Sequence, residues 1–525
     1  MVDAPLRTLP AFLARAAAEA PDRELVVFDD RVLTYAEVER ESRRVAAAFT
    51  RLGVGHGDHV AFLVGNSPEF LIAWFALARL GAVLVAVNTR FKAEEAGYVV
   101  DHCRARLLVT DDECADVAEA VADALPRVET VVTTGVDPRF ASLAALPDDG
   151  EAPEVDVEED DVVSLIYTSG TTGRPKGVMQ THRNFVLTGE AYASWLRISS
   201  DDRTYVCLPL FHVNSQAYST MGVIAARATM VLAPRFSASR FWDDIARHRV
   251  TMFNFMGAML VILSKGEPPP DEVRRRLRVL YSGSLSTLSA EQWAELEERY
   301  GAKLMTGFGM SETTFGLALP WDATPRPGSI GVPRGHPDPT LPPSEARVVR
   351  EDGSDADPRE VGELLLRNAA MMKGYFRDPE RTAEVLVDGW LHTGDLVTTD
   401  EDGWFYFVDR KKDVIRRRGE NVSSQEVERV LNAHPGVRLS GVVGVPSEMM
   451  DEDVLAFVVP AGHPPPEPAE LCAWVGDRLA DFKVPRYVEF VDDLPRTSTQ
   501  KVAKPELRAL SKNGGGRRWD REASR

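Results

Sequence analysis

The sequence predicts an α/β protein with a large N-terminal domain of layered sheets and helices and a smaller α+β domain at its C-terminus. The first observation is that helical and strand-like patterns alternate through the first half, which is typical of a mostly parallel sheet covered by helices. The second is length, because 525 residues are too many for one small core. The third is a change of character after Gly403, where basic residues crowd together. We therefore predict a large domain at 1–408, a hinge at 409–412 and a small domain at 413–510.

The elements of the first half follow one another as helix and strand. The N-terminal stretch lacks an apolar segment of the signal-peptide kind and predicts an amphipathic helix. Thr34-Tyr-Ala-Glu37 is a capping box at the start of a helix that runs towards Arg51. HVAFLVGN, VLVAVN, ARLLVTDD and ETVVTTG predict strands. Ser67-Pro68 supplies an N-cap and a first-turn proline for the helix between the first two strands.

The apolar stretch from Phe70 to Asn88 is almost long enough to span a bilayer. However, Arg79 lies in its middle and Gly81 interrupts it. We therefore predict a buried helix that runs into a buried strand, and no membrane span.

The patterns of the later chain are less regular. DVVSLIYTSG predicts a strand, whereas PWDATPRPGSIGVPRGHPDPTLPPSE shows neither helical nor strand periodicity and predicts a long loop or ordered connection. Ser423-Ser-Gln-Glu426 is a second capping box, at the start of a short helix. VVGVPSEMMDEDVLAFVVP predicts two strands, and a helix follows near Glu470. The tail at 511–525 is predicted to be disordered.

Charge and cysteine content exclude several classes of function. The chain has 61 Lys and Arg against 80 Asp and Glu, a net charge of −19, and is not built to coat nucleic acid or an anionic membrane. The four cysteines contain no CxxC pair, so structural disulfides and a zinc site are not expected. These features predict a cytoplasmic protein.

The stretch YTSGTTGRPKG, from Tyr167 to Gly177, predicts a phosphate-binding loop after a strand. Glycines let a loop turn its backbone N–H groups inward, hydroxyls add donors, and Lys176 adds a positive charge. A surface loop could share this composition. The spacing is not GxxxxGK[ST], which disfavours a kinase or GTPase of the Walker class.

Four further motifs follow in a fixed order: GFGMSETT from Gly307, LHTGDL from Leu391, DRKKDVIRRRGENV from Asp409 and PRTSTQKVAK from Pro495. With them the sequence resembles the adenylate-forming superfamily, which contains acyl-CoA synthetases, adenylation domains and firefly-type luciferases. The resemblance covers nearly the whole chain. It implies that a carboxylate attacks the α-phosphate of ATP to give an acyl-adenylate, and that a thiol, usually that of coenzyme A, then displaces AMP.

The resemblance implies a role for each motif. Glu312, with Thr168, would bind Mg²⁺, Phe308 would stack on adenine, and Asp395 would accept the ribose hydroxyls. Arg410 would add a contact to ribose or phosphate. The complete set implied to bind ATP or AMP is Thr168, Ser169, Gly170, Thr171, Thr172, Gly173, Lys176, Ser282, Gly283, Ser284, Gly307, Phe308, Gly309, Met310, Ser311, Asp395, Arg410 and Asn421.

The resemblance also implies a mobile small domain that rotates about Lys412. In one orientation Lys501 would bridge the carboxylate and the α-phosphate as the catalytic lysine, although Gln500 replaces the family's usual glycine and Lys504 is a nearby competitor. In the other orientation the segment Arg418, Gly419 and Glu420 would approach the pantetheine of CoA.

The acid pocket is implied by position in the family. His212 lies at its mouth, with a modest direct role in catalysis, and the candidate lining residues are Phe211, Tyr218, Phe253, Phe255, Met256, Gly257 and Tyr281. Most are apolar or aromatic, which favours a hydrocarbon, aryl or alicyclic acid. FNFMGAML and LFHVNSQAYST resemble the crotonobetaine/carnitine–CoA ligase branch.

Three alternative functions can be compared with the sequence. An enzyme that loads an amino acid onto a carrier protein would use an acidic residue to hold the α-amine, and Phe211-His212-Val213-Asn214 has none. A luciferase-like oxygenase shares the same motifs. A non-catalytic ATP-binding scaffold would be expected to lose Lys501 or Glu312, and both are present. A homodimer is left open.

Overall fold

The computed structural model describes residues 7–146, 153–168, 175–283, 285, 288–417, 420–447, 452–497, 501–512 and 518–523, and the backbone alone of Ala258, Val261, Lys265, Glu420 and Asn421.

The helices and strands alternate in the N-terminal region as the sequence predicts. They are α1 (Leu9–Glu19), β1 (Glu24–Phe28), β2 (Arg31–Thr34), α2 (Tyr35–Arg51), β3 (His59–Leu63), α3 (Pro68–Arg79), β4 (Val83–Ala86), α4 (Ala93–His102), β5 (Leu107–Thr110), α5 (Ala115–Ala124), β6 (Thr130–Thr133) and β7 (Ala141–Ser142). The central region contains β8 (Val162–Thr168), β9 (Lys176–Thr181), α6 (His182–Trp195), β10 (Arg203–Val206), α7 (Met221–Ala226), β11 (Thr229–Leu232), α8 (Phe241–Arg247), β12 (Met252–Asn254), α9 (Gly257–Lys265), α10 (Asp271–Arg274), β13 (Val279–Ser282) and α11 (Ala290–Tyr300). A π-helix at Asn214–Thr220 precedes α7.

The remaining elements are mostly strands. They are β14 (Lys303–Met310), β15 (Thr313–Ala318), β16 (Ser329–Pro333), β17 (Glu345–Val349), β18 (Gly362–Arg367), β19 (Gly374–Tyr375), α12 (Pro379–Val385), β20 (Leu386–Val387), β21 (Trp390–Thr399), β22 (Phe405–Arg410), β23 (Ile415–Arg417), β24 (Glu420–Val422), α13 (Ser424–Asn432), β25 (Val437–Pro446), β26 (Glu452–Pro460), α14 (Pro468–Gly476), β27 (Tyr487–Phe490), α15 (Lys504–Lys512) and β28 (Trp519–Asp520).

Two large sheets form the layers of the N-terminal part. Within the described residues, one has eight strands in the order β19-β9-β8-β4-β3-β5-β6-β7 and is parallel from β8 through β4, β3 and β5 to β6. The other runs β17-β18-β21-β22-β16-β15-β14-β13-β12-β10-β11-β1-β2, with β20 beside β21. It is parallel from β1 to β14 and antiparallel from β14 to β22. The predicted parallel sheet with covering helices is confirmed.

The apolar stretch after Ser67 folds as predicted, into α3 and then β4. Ser67 Oγ accepts a hydrogen bond from the Phe70 N–H, which caps the helix. Arg79 does not interrupt the core, because its guanidinium forms an ion pair with Glu39 and donates to Ser42 on the neighbouring helix α2. Among the described residues, no helix has both the length and the apolar character needed to cross a membrane.

The proline-rich segment was predicted without a strand, and this is wrong for six of its residues, Ser329–Pro333 and Glu345, which begins β17. Ser329–Pro333 forms β16, which pairs with β15 and β22. The strand is short, and its register shifts beside Gly331, whose φ of +99° brings it against the Ala318 backbone. A strand of this length with an irregular residue shows no alternating pattern in the sequence.

The C-terminal part has its own sheet, in the order β25-β26-β27-β28, with α13 and α14 packed on it around a buried cluster that includes Ile415, Val442 and Val475. The two predicted strands and the helix near Glu470 are confirmed. The prediction of a disordered tail at 511–525 is wrong for residues 511 and 512, which end α15, and for residues 518–523. Trp519 packs against this cluster in β28, and Asp520 forms an ion pair with Arg486.

Candidate active site

The predicted phosphate loop joins the ends of the β8–β9 hairpin. Thr168 ends β8, Lys176 begins β9, and the two residues pair directly in the antiparallel register. Side chains that are paired in this way lie on the same face of the hairpin. Ser169, Gly170, Thr171, Thr172 and Gly173, which were predicted to bind phosphate, lie outside the described residues.

The hydroxyl of Thr168 has no hydrogen-bond partner among the described residues. Its Oγ1 is buried and forms no hydrogen bond to any described residue. Because a buried hydroxyl without a partner costs free energy, a native site commonly supplies one from a bound molecule or ion.

A lysine, a tyrosine and a glutamate meet next to this hydroxyl. Lys176 Nζ lies 2.9 Å from Glu312 Oε1, and Tyr375 Oη donates a 2.8 Å hydrogen bond to the same oxygen. Lys176 also donates to the tyrosine hydroxyl. Glu312 is 5% exposed, so the lysine predicted to bind phosphate and the carboxylate predicted to bind the metal lie side by side in a buried cluster.

The predicted adenine slot lies where strands β13 and β14 end. Gly283 and Gly307 approach so closely that a Cβ on Gly283 would lie 3.1 Å from the Gly307 carbonyl oxygen. Phe308 is half-buried and packs one side against the apolar cluster around Leu317 and Ile330. Ser282 ends β13. Ser284 lies outside the described residues.

The remaining residues of the GFGMSETT motif hold the motif in place. Met310 packs on a small buried cluster with Val178 and Leu391. The Ser311 carbonyl accepts a 2.5 Å hydrogen bond from Gln180 Nε2 on strand β9. The motif is therefore attached to the same strand that carries Lys176.

The predicted ribose carboxylate lies on β21, opposite Arg410 of β22. Asp395 is 3% exposed, and Arg410 Nε lies 3.3 Å from its Oδ1. Gly394 has a φ of +70°, which favours glycine before the carboxylate. Burial raises the pKa of Asp395 to about 6, and the charges of Arg410 and Lys501 act in the opposite direction.

Lys501 comes from the C-terminal part and approaches this same carboxylate. Its backbone N–H donates to Thr497 Oγ1, and its carbonyl accepts from the Thr497 N–H, which closes a turn. Although part of its side chain is exposed, the surrounding protein removes water from the ammonium and lowers the pKa of Lys501. Arg410 lowers this pKa further, and Asp395 opposes the shift.

Two of the predicted acid-pocket residues lie against the Gly307-Phe308-Gly309 stretch of strand β14. A Cβ on Gly309 would lie 2.4 Å from Tyr218 Oη, and one on Gly307 would lie 2.4 Å from Tyr281 Oη. Tyr218 donates a 2.6 Å hydrogen bond to the Thr314 carbonyl. The two hydroxyls therefore occupy space that any larger residue in the motif would need.

The Tyr218 side chain is placed by the π-helix at Asn214–Thr220. Segments of this kind recur at functional sites because they redirect side chains within a helix. His212 lies just before it, its ring centroid 4.5 Å from that of Phe211. The two residues thus lie beside the segment that carries Tyr218.

Phe253 does not lie with the two tyrosines, which corrects the prediction. Its ring packs edge-on against Phe241 and also contacts Trp242, on the side of β12 covered by α8. Asn254, the next residue, pairs with Tyr281 and points the other way. Alternation along a strand puts consecutive side chains on opposite faces. Phe255 packs its ring 6.0 Å from Phe253, and Met256 and Gly257 begin α9.

Comparison with known families decides the assignment. Residues 13–376 match the family model of the AMP-binding enzyme, and residues 426–501 match that of the AMP-binding enzyme C-terminal domain. The chain belongs to the AMP-binding enzyme family.

Relatives of this AMP-binding enzyme extend over almost its full length. It is 32% identical to the crotonobetaine/carnitine–CoA ligase of Proteus mirabilis (strain HI4320) over 498 residues, which are 91% of this chain and 93% of the ligase. It is 34% identical to the ligase of the same name from Escherichia coli (strain K12 / DH10B) over 493 residues, 90% and 93% of the two chains. The structure of the anthranilate CoA ligase AuaEII in complex with anthranoyl-AMP matches with a TM-score of 0.86 at 27% identity, covering 97% of this chain and 98% of that chain. The predicted superfamily and fold class are confirmed.

Lys504, the nearby competitor of Lys501 in the sequence, has a buried side chain. It is 8% exposed in the AMP-binding enzyme, forms a 3.2 Å ion pair with Glu428 and donates to Ser424 Oγ. Burial raises the pKa of Glu428, and Lys504 opposes that shift. Lys504 therefore stabilises the fold beside the predicted hinge.

The predicted hinge segment of this AMP-binding enzyme forms hydrogen bonds with the start of α13 and with α15. Asp409 is fully buried and accepts 2.7 Å and 2.6 Å hydrogen bonds from the N–H and Oγ of Ser424 at the start of α13. Arg508 on α15 lies 2.7 Å from Asp413 and donates to the Lys412 carbonyl. Burial lowers the pKa of Lys412, and its charged neighbours include Arg410 and Lys176.

The predicted CoA-binding segment lies largely outside the described residues. Arg418 and Gly419 lie outside the described residues, and Glu420 and Asn421 are described by their backbone in β24 alone.

Sequence reasoning missed two features of the site in this AMP-binding enzyme. Tyr375 reaches Glu312 from a strand 63 residues further along the chain, and no motif marks it. Asn254 Oδ1 accepts a 2.5 Å hydrogen bond from Tyr192 Oη, and Asn254 Nδ2 donates one of 3.1 Å to Asn214 Oδ1. These bonds lie beside the two pocket tyrosines. Its only sequence signal is a polar residue inside an apolar strand.

The residues present fit the Mg²⁺ that the family implies. Within the described residues there is no group of three or more His, Cys, Asp or Glu that could hold a metal ion. The donor set is instead one carboxylate and one hydroxyl: Glu312 Oε2 has no hydrogen bond to a described residue, and Thr168 Oγ1 is buried without one. A hard cation that shares its ligands with phosphate and water needs few protein oxygens.

Proposed function

We propose that this AMP-binding enzyme is an AMP-forming acyl-CoA ligase that activates a carboxylic acid with ATP and transfers the acyl group to coenzyme A. The observation that supports the proposal is that Lys501, from the C-terminal part, lies within electrostatic range of Asp395 and Arg410. This arrangement supports a reaction in which a positive charge is brought to an anionic acid and an anionic α-phosphate together.

In the first step a carboxylate oxygen attacks the α-phosphorus of ATP. The new P–O bond forms as the bond to the bridging α–β oxygen breaks, and pyrophosphate leaves with the electron pair. Both reactants are anionic, so rate enhancement requires positioned cations rather than a protein nucleophile. Lys501 is proposed to bridge the two reactants, while Lys176 neutralises the β- and γ-phosphates.

Mg²⁺ is proposed to be held by Glu312 and Thr168, where it would supply charge neutralisation to the polyphosphate. Asp395 accepts hydrogen bonds from the ribose hydroxyls. Phe308 contributes one face of the adenine slot, with Gly283 and Gly307 giving the close backbone approach on which a flat ring depends.

In the second step the sulfur of coenzyme A attacks the acyl carbonyl. A C–S bond forms, the acyl–phosphate C–O bond breaks, AMP leaves, and the thiol proton passes to solvent or to the leaving phosphate. Transfer to a carrier protein is not favoured, because the relatives are CoA ligases and the position predicted to hold an α-amine has no acid.

The acid is proposed to be one whose acyl group contacts the tyrosine hydroxyls of the pocket, Tyr218 and Tyr281. The ligases from Proteus mirabilis and Escherichia coli are named for crotonobetaine and carnitine, and AuaEII for anthranilate. A zwitterionic ammonium acid and an aryl acid are therefore the first two classes to test. A cytoplasmic location and a homodimer are also proposed.

The experiment is a panel of carboxylic acids incubated with ATP, Mg²⁺ and CoA, with chromatographic identification of nucleotide and thioester. We expect AMP, pyrophosphate and acyl-CoA in equal amounts for at least one acid. ADP in place of AMP would refute the reaction class. AMP that forms only with a carrier protein would refute CoA as the acceptor.

A further inference from the structure

We propose that Tyr375 is a positioning residue that keeps Lys176 and Glu312 aligned for the polyphosphate of ATP and its metal ion. The inference rests on the proposed function. It concerns how the lysine and the carboxylate at the polyphosphate end are kept ready for a ligand.

The three side chains form a closed triangle. Lys176 donates to Tyr375 Oη, Tyr375 donates to Glu312 Oε1 at 2.8 Å, and Lys176 lies 2.9 Å from that same oxygen. Lys176 Nζ also lies 4.0 Å from the centroid of the tyrosine ring. The phenol is therefore the neutral group of the triangle, and its hydroxyl forms a hydrogen bond with both the lysine and the carboxylate.

The backbone fixes Tyr375 in relation to both partners. Tyr375 pairs with Val178 on β9, the strand that Lys176 begins. On the other side, the Met372 N–H donates a 2.8 Å hydrogen bond to the Glu312 carbonyl. The Tyr375 N–H itself donates to Thr382 Oγ1 at the start of α12. One short strand thus connects the phosphate hairpin to the carboxylate motif.

The chemistry of the triangle shows what the hydroxyl contributes. The phenol accepts a hydrogen bond from Lys176 and donates one to Glu312 Oε1. This donation engages Oε1 and leaves Oε2 with no hydrogen bond to a described residue. Lys176 and Glu312 already form a direct ion pair at 2.9 Å, and the hydroxyl bonds to both of them. Without the hydroxyl, both side chains would lose the shared group that fixes their orientation towards a ligand.

The test is Tyr375→Phe, which keeps the ring and its contact with the ammonium and removes both hydrogen bonds. Loss of a hydrogen bond to a charged group predicts a roughly tenfold or greater weakening of binding. The probe is α,β-methylene-ATP, which is not cleaved at the α–β bond and needs no acid. Calorimetry with Mg²⁺ and with EDTA should show weaker binding in both conditions and a higher Mg²⁺ concentration at half-saturation.

The matched control is Tyr406→Phe. Tyr406 Oη also donates a 2.8 Å hydrogen bond to a carboxylate, that of Asp400, and belongs to no part of the site. We expect wild-type binding of the analogue in this control. Wild-type binding in Tyr375→Phe, with an unchanged Mg²⁺ requirement, would overturn the proposal.

A double-mutant cycle separates positioning from folding. If Tyr375 acts through Lys176, then adding Tyr375→Phe to Lys176→Met should change binding far less than it does in the wild-type background. Fully additive losses, or equal losses of analogue binding and of thioester formation from supplied acyl-adenylate, would indicate a structural role and overturn the proposal. Since the binding assay needs no acyl substrate, it decides the role of Tyr375 even if no acid in the panel is activated.

Discussion

The two ends of the nucleotide site are built in different ways. At the polyphosphate end, Lys176, Tyr375 and Glu312 all belong to the N-terminal sheets and contact one another directly. At the end proposed to hold the α-phosphate, Asp395 and Arg410 form an ion pair, and Lys501 of the C-terminal part lies within electrostatic range of both. The first end therefore does not depend on where the C-terminal part lies, and the second does.

This difference explains how one enzyme can run two reactions in one pocket. A mobile part that carries only the adenylation lysine can leave once the adenylate has formed, while the nucleotide remains held by the large part. Such domain alternation is an accepted way to complete two sites in turn. It stays a prediction for this chain, and the following variants test it.

The largest effect is expected from Lys501→Ala. Adenylate formation should fall at least ~100-fold, the loss typical of removing one preorganised electrostatic contact. Isotope exchange between pyrophosphate and ATP measures this step alone. Lys512→Ala is the matched control, because Lys512 is exposed at the end of α15 and should exchange at the wild-type rate.

The next effect is expected at the other end of the site, from Glu312→Gln. This variant keeps the shape of the side chain and removes the charge, so productive Mg²⁺ binding should weaken by roughly tenfold or more. Titration of adenylation against Mg²⁺ measures the shift. An unchanged rate and an unchanged Mg²⁺ dependence would remove Glu312 from the metal site.

Lys504→Ala should lower stability rather than a specific rate. It leaves the buried Glu428 carboxylate without its cation, which typically costs about 3 kcal/mol. The melting temperature should fall by several degrees, and both half-reactions should change by the same factor at a temperature where the protein is folded. A selective loss of adenylation in Lys504→Ala would instead make Lys504 the catalytic lysine.

The smallest effect is a pH dependence at Asp395. Its pKa of about 6 in the folded protein exceeds the ordinary value of about 3.9, so the folded state binds the proton more tightly than the unfolded chain. Stability should therefore fall as pH rises from about 4 to 6. Adenosine affinity should rise as pH increases through about 6, because the ionised carboxylate accepts the ribose hydroxyls.

Calorimetry between pH 5 and 8 measures that affinity, since adenosine carries no titrating phosphate to confuse the result. Asp395→Asn should bind adenosine more weakly above pH 7 and show no inflection near pH 6. The same inflection in wild type and variant would assign it to another group.

The parts of the site that the sequence could predict are those carried by short contiguous motifs. Lys176, Glu312 and Asp395 each lie beside a glycine-rich turn whose local chemistry is visible in a few letters. Tyr375 was missed because its role arises from the pairing of β19 with β9, two strands far apart in the chain.

Two other errors have equally physical causes. Phe253 was placed in the acid pocket by position, but the face of a strand depends on register, and a shift of one residue reverses it. Trp519 was assigned to a disordered tail because of its polar neighbours, although a half-buried tryptophan and several ion pairs suffice to dock a short strand at a sheet edge.

We predict that Lys501, brought by the C-terminal part, is needed for adenylation and not for thioester formation. The most direct measurement is single-turnover kinetics of Lys501→Ala on each half-reaction separately, with acyl-adenylate and CoA supplied for the second. We expect at least ~100-fold loss in adenylate formation and a thioester step near the wild-type rate. An equal loss in both steps would contradict it.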